Sequence, residues 1–242
     1  MHAMILAAGL GTRLGALGAA TPKILIDVGG RPLLARHLDY LAAMGVDRVV
    51  INLHHHADQV EAYITSHNAP VEVTCVREVS LLGTAGGVRN ALDELTPGPL
   101  LVIYGDVLFP DPVDVMLEQH RSTDAAATIA VHGAASTTGK GVVEVAGSGR
   151  VLRFVEKGGK TDGPALINSG IYVLNESVLD GVAGGGFSDF GSDIFPALLA
   201  EGKIIWSYRL PRPVIDIGTP EGLALAREVV LAGAQEVGEV GR

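Results

Sequence analysis

A short apolar run that passes straight into Gly9-Leu10-Gly11-Thr12-Arg13, with Pro22-Lys23 close behind, constrains this chain more than any other stretch. Met4-Ile-Leu-Ala-Ala8 reads as a strand, and the glycines after it describe a loop in which backbone N–H groups converge on an anion. Only glycine leaves that approach open. Arg13 and Lys23 would neutralise whatever the loop holds. A dinucleotide site would place a third glycine where Leu14 stands, and an acidic residue after the next strand, where histidines follow Leu53. Both are missing, as is the G-x-x-x-x-G-K-[ST] pattern of a P-loop, so hydride chemistry on a nicotinamide cofactor is disfavoured.

The rest of the chain alternates in a way that fits a phosphate loop fed by a strand. Helix is expected over Arg31–Met44, Asp58–Thr65 and Gly83–Glu94, and strand over Arg48–Leu53, Val71–Val76 and Leu100–Tyr104. Strand and helix in turn mean parallel βαβ units, and an apolar run such as Leu100–Tyr104 fits a strand buried on both faces. Its carboxyl end, Gly105-Asp106, then points into the ligand crevice. Beyond Thr123 short extended pieces dominate, over 125–132, 141–145, 151–155, 167–174 and 204–210, with a short helix near 192–200. The fold class is therefore α/β: a Rossmann-like, mostly parallel mixed sheet with helices on both faces and a smaller β-rich part. One domain over 1–242 is expected, in two parts, a first over about 1–122 and a β-rich second over about 123–215. A closing helix should run over about 220–231, before a Gly- and Glu-rich end that frays.

Composition narrows the partners. A net charge of −9 removes the basic stripe that a nucleic-acid footprint wants. Mean hydropathy is +0.34, yet no apolar run approaches the roughly 18 residues of a membrane span. No basic region precedes the first apolar run, and one cysteine, Cys75, permits no internal disulfide. A cytoplasmic location is expected. Aromatic residues make up 5%, which weighs against an aromatic cage for a choline-like substrate. Consecutive side chains in a turn point apart, so His54-His55-His56 reads as loop histidines beside the crevice rather than a metal site. The pattern assigns no oligomeric state.

Taken in order, Leu6-Ala-Ala-Gly-Leu-Gly-Thr-Arg-Leu14 with Pro22-Lys23, Leu82-Gly-Thr-Ala-Gly-Gly87, Tyr104-Gly-Asp106, Gly141-Val-Val-Glu-Val145, Phe154-Val-Glu-Lys157, Asn168-Ser-Gly-Ile-Tyr172 and Asp216-Ile-Gly-Thr219 resemble the sugar-1-phosphate nucleotidyltransferases. In length the chain is similar to the small forms, the heptose 1-phosphate guanylyltransferases and muramate 1-phosphate uridylyltransferases. The resemblance implies transfer of a nucleoside monophosphate from a nucleoside triphosphate to a sugar 1-phosphate. It makes the part over about 1–122 nucleotide-binding and the part over about 123–215 sugar-binding. It implies Ala8, Gly9, Gly11 and Thr12 around the nucleotide, with Glu78, Leu82, Gly83, Thr84 and Gly87 at base and ribose. Arg13, Lys23 and Lys157 take the catalytic charge-stabilising roles, Gly141, Glu156 and Asn168 the sugar, and Asp106 with Asp216 a Mg²⁺ ion.

GTP is slightly favoured over UTP because Leu82-Gly83-Thr84 and the stretch 215–221 look more like the heptose-type enzymes. A uridylyltransferase acting on a hexose or muramate phosphate is the alternative. A noncatalytic nucleotide-sugar sensor would keep the fold, but Arg13, Lys23, Asp106, Lys157 and Asp216 are all present. Many relatives have a further Arg-Pro after the loop, where this chain has Gly15-Ala16, and a tryptophan before the second aspartate motif, where it has Val214.

Overall fold

The computed structural model describes residues 1–95, 97–109, 111–156 and 164–240, without the side chains of 234–240. Strand β1 (His2–Leu6) leads through a one-turn 3-10 segment (Thr12–Leu14) into helix α1 (Ala16–Ala20). Then come α2 (Leu33–Ala43), β2 (Arg48–Leu53), α3 (Ala57–Ser66) and β3 (Glu72–Arg77). α2 buries Leu33, Leu34, His37, Leu38 and Leu41, the three-and-four spacing of one helical face.

The expected helix from Gly83 is split into α4 (Gly83–Asn90) and α5 (Leu92–Leu95). The break at Ala91 follows Asn90, whose amide competes with helical backbone. The chain continues through β4 (Leu100–Tyr104), β5 (Val107–Leu108) and α6 (Asp114–Ser122). α6 has no counterpart in the sequence expectation, because it buries only Met116, Leu117 and His120 and turns a polar face outward. Next come β6 (Ala127–Ala134), β7 (Val142–Val145), β8 (Val151–Val155) and β9 (Ala165–Leu174). α7 (Phe195–Ala200), β10 (Ile205–Arg209), β11 (Ile215–Asp216) and α8 (Pro220–Val240) complete the chain. α8 corrects the expected stop near 231: Ala232, Ala234, Gln235 and Glu236 are good helix formers and outweigh Gly233 and Gly238.

The main sheet has the order β10-β6-β9-β4-β1-β2-β3, with the β7–β8 hairpin attached at β9. β1 lies parallel to β2 and β4, β2 to β3 and β6 to β10, while β9 runs antiparallel to β4 and β6. The later strands thus extend the first sheet rather than build a second.

Alternate residues of the central strands fill opposite cores. Met4, Val50, Val102 and Tyr172 belong to one, and Ala3, Ile5, Val49, Ile51, Ile103 and Ile171 to the other. Burial on both faces accounts for the unbroken apolar runs in sequence. A third cluster joins Leu14, Ile26, Leu108, Ile217 and Leu223, tying the glycine loop to β5, β11 and α8. Among the described residues no helix is long and apolar enough to cross a membrane.

Candidate active site

The carboxyl ends of β1, β2 and β4 meet the glycine loop, and their backbone groups position it. Gly105 N–H donates to the Leu6 carbonyl at 2.9 Å, and Ala7 N–H to Asn52 Oδ1 at 2.8 Å. Gly11 is left-handed, at φ 71°, and the loop packs so tightly on α1 that a β-carbon on Gly18 would overlap the Gly11 carbonyl. Nearby, His56 and Gln59 hold the carbonyls of Ala19 and Ala20, at 2.9 and 3.2 Å. The Gly15–Ala20 bend is therefore a short helix braced from α3, and one loop histidine has a structural partner in it.

Two acids and two cations face one another below the loop. β5 and β11 form a two-strand antiparallel ladder in which Asp216 stands opposite Val107, and Ile217 N–H donates to the Asp106 carbonyl at 2.9 Å. That ladder brings together aspartates far apart in sequence. Lys23 Nζ pairs with Asp106, and Arg13 Nη1 lies 3.3 Å from Asp216 Oδ2. The first pair is sheltered, whereas both partners of the second are about half exposed, so the second adds little stability. His37 braces the ladder from α2 by donating Nε2–H to the Val107 carbonyl at 2.9 Å and stacking on Phe109. Burial depresses its pKa to about 4.

On the loop side of Asp106 lies a cavity of about 480 Å³, bordered by Ala8, Gly9, Lys23, Asn52, Glu78, Leu81, Gly83, Thr84 and Phe187 among others. Glu78 is 5% exposed and already engaged. Its Oε1 accepts from Asn52 Nδ2 at 2.6 Å and its Oε2 from Leu82 N–H at 3.1 Å. Gly87 leaves room for that pair, since a β-carbon there would stand 2.7 Å from Asn52 Nδ2 and 2.8 Å from Glu78 Oε1. Thr84 is fastened to Asp189 through its N–H, 2.8 Å, and its hydroxyl, 3.0 Å.

On the other side of Asp106 a cavity of about 660 Å³ is bordered by Arg13, His132, Lys140, Gly141, Glu156, Asn168 and Asp216. Thr84, Tyr104, Asp106 and Asp189 border both cavities, so the two are halves of one cleft. Gly141 and Gly191 clear space around Glu156, and a β-carbon on Gly191 would overlap its carboxylate. Asn168 donates to Tyr172 OH at 2.7 Å, and that hydroxyl donates to Tyr104 OH at 3.1 Å. Burial raises the Tyr104 pKa to about 12, so both hydroxyls stay protonated. His132 holds Ser169 Oγ at 2.9 Å through Nδ1, and burial followed by nearby Lys140 lowers its pKa to about 4.

The expected residues thus fall into three groups. Ala8, Gly9, Lys23, Glu78, Gly83 and Thr84 border the first cavity, and Arg13, Gly141, Glu156, Asn168 and Asp216 the second, with Asp106 between. Gly11, Thr12, Leu82 and Gly87 border neither, and Lys157 lies outside the described residues. Sequence reasoning missed Asn52, Phe187, Asp189, His132 and Lys140. Of these only Asn52 carried a signal, a polar residue near the end of an apolar strand.

A family model described as nucleotidyl transferase matches residues 2–232. Mannose-1-phosphate guanylyltransferase 1 of Arabidopsis thaliana is 36% identical over 231 residues, covering 91% of this chain and 62% of that protein. Mannose-1-phosphate guanylyltransferase of Mycobacterium tuberculosis is 32% identical over 225 residues, again covering 91% and 62%. The chain therefore spans 62% of the length of these curated relatives. Among solved structures, HddC from Yersinia pseudotuberculosis, complexed with GMP-PN, superimposes with a TM-score of 0.79 at 29% identity, covering 95% of this chain and 99% of that one. With the glycine loop, the two acids and the divided cleft in the places described, the chain belongs to the nucleotidyl transferase family.

Proposed function

We propose that this protein transfers GMP from GTP to a sugar 1-phosphate, yielding a GDP-sugar and pyrophosphate. The observation that carries the reading is the meeting of the two cavities at Asp106, with Lys23 beside it and Arg13 and Asp216 at the same junction. A phosphate oxygen of the sugar attacks the α-phosphorus, the bond to the bridging oxygen of the β-phosphate breaks, and pyrophosphate leaves. The nucleophile is already an anion, so no general base is required, and the work is charge neutralisation and alignment. The backbone from Gly9 to Thr12 wraps the triphosphate, while Lys23 and Arg13 stabilise charge on the departing pyrophosphate. Glu156, Asn168 and the Gly141 backbone take the sugar hydroxyls, and Lys157 the sugar phosphate.

Asp106 and Asp216 fit Mg²⁺: they supply hard carboxylate oxygens from one rigid ladder. No cluster of three or more acidic, histidine or cysteine side chains forms among the described residues, so phosphates and water would supply the other ligands. The ion would neutralise the α-phosphate for attack. The close Lys23–Asp106 and Arg13–Asp216 pairs show that the same acids attract cations already on the chain.

GTP is favoured by Glu78, an acceptor-only carboxylate at the cavity wall. Guanine offers adjacent donors at N1 and its exocyclic amine, whereas uracil offers one donor between two acceptors. The names of the relatives agree. A cytoplasmic location goes with a nucleoside triphosphate substrate. The test is pyrophosphate release from GTP, UTP, dTTP, CTP and ATP against a panel of sugar 1-phosphates. GTP should lead with at least one sugar; preference for UTP would overturn the base assignment, and no turnover with any pair the whole reading.

A further inference from the structure

Phe187 has a place that neither phosphate binding nor the core explains. Its ring is 68% exposed yet borders the nucleotide-side cavity. Tyr104, the other aromatic side chain on that cavity, is committed through its hydroxyl to Tyr172. An open aromatic face at the rim of a cavity can be covered by a bound planar ring.

The backbone just after Phe187 is anchored to α4. Ser188 N–H donates to the Leu82 carbonyl at 2.9 Å, and the Ser188 carbonyl accepts from Ala85 and Gly86 at 2.9 and 3.0 Å. A β-carbon on Gly83 would come within 2.5 Å of the Ser188 carbonyl oxygen, and one on Gly86 within 2.5 Å of that of Gly186. These two glycines of the Leu82–Gly87 motif are small because the 186–188 segment lies on α4. On the other side Gly184 and Gly185 touch nothing where a β-carbon would sit, which leaves the approach to Phe187 conformationally open. The backbone is thus fixed just after Phe187 and has room at Gly184 and Gly185 before it.

Resting on the reading of this cavity as the nucleotide site, we propose that Phe187 is a base-stacking residue. Its ring covers one face of the bound base while the Glu78–Asn52 pair meets the base's edge. A flat ring rewards the larger face of a purine, so Phe187 adds to the preference for guanine that Glu78 begins.

The experiment measures GDP and UDP binding by calorimetry, and KM for GTP and for sugar 1-phosphate, on the full chain and on Phe187→Ala and Phe187→Trp. Phe187→Ala should weaken GDP binding roughly tenfold, within the range for loss of one aromatic–base stack, and raise KM for GTP in step. Phe187→Trp should restore binding, and its emission, corrected for Trp206 with the parent chain, should respond to GDP. Equal GDP affinity of Phe187→Ala and the parent would overturn the proposal, as would a rise confined to the KM for sugar 1-phosphate. Failure of the parent chain to bind either nucleotide would instead remove the nucleotide-site reading, and this proposal with it.

Discussion

The two halves of the cleft are built by different means. On the nucleotide side, the loop and strand ends set the positions: Ala7 N–H on Asn52, Asn52 on Glu78, Leu82 N–H on Glu78, Thr84 on Asp189. On the sugar side, the polar groups are side chains on strands and hairpin loops, and Glu156 sits where Gly141 and Gly191 leave space. Side chains tied to backbone N–H groups at strand ends present one fixed edge, whereas side chains on hairpin loops can change selectivity by substitution. The comparison predicts that the nucleotide preference is deeply built in and the sugar preference is easily retuned.

The largest effect should come at the junction the halves share. Asp106→Asn should lower kcat by about 10³-fold with the fold intact by circular dichroism, since a positioned charge at the reacting phosphorus is lost; near-normal turnover would remove the metal assignment. Lys23→Met should follow, at about 10²-fold in kcat. It also leaves Asp106 without its partner, so added Mg²⁺ should stabilise the variant more than the parent in thermal melts. Glu78→Gln sharpens the contrast itself. By replacing an acceptor with a donor–acceptor amide it should cut kcat/KM for GTP by roughly tenfold, the scale of one buried hydrogen bond, while UTP changes less. Equal losses on both nucleotides would mean that Glu78 only supports the loop.

The smallest effect concerns stability. His37 and His132 have folded pKa values of about 4, below the ordinary 6.5, because burial disfavours the imidazolium. Their contribution is fully present above pH 6.5, is lost as pH falls from there towards 4, and is level below, since the unfolded chain takes up the proton first. For His37 this amounts to roughly 3 kcal/mol, at about 1.4 kcal/mol per unit. Thermal melts of His37→Phe should show a shallower fall over that window than the parent.

The same contrast explains what could be read from the chain before its structure. The parallel βαβ alternation, the glycine loop and Asp106 at the end of β4 follow from local pattern: apolar runs, turn glycines and strand ends. Glu156, Asn168 and Asp216 came from resemblance, because no local rule brings residue 216 beside residue 106; the β5–β11 ladder does so, through two residues on each side. α6 was illegible because its buried face is three side chains wide in a polar stretch. The glycines of α4 were visible, but their reason was not: Gly86 answers to the 186–188 segment, a contact between distant parts of the chain. Asp189, His132 and Lys140 had no sequence signal, since each acts through neighbours supplied by the fold.

The central claim is that one cleft holds both substrates across Asp106 and passes a nucleotidyl group between them. Its most direct test is incubation of the chain with Mg²⁺, mannose 1-phosphate or another sugar 1-phosphate, and GTP labelled at the α-phosphate. Label should move into a GDP-sugar with one pyrophosphate released per label transferred, and Asp106→Asn should slow the transfer by about 10³-fold. Label retained in GTP, together with tight binding of a GDP-sugar, would contradict the claim and leave a sensor with the fold of a transferase.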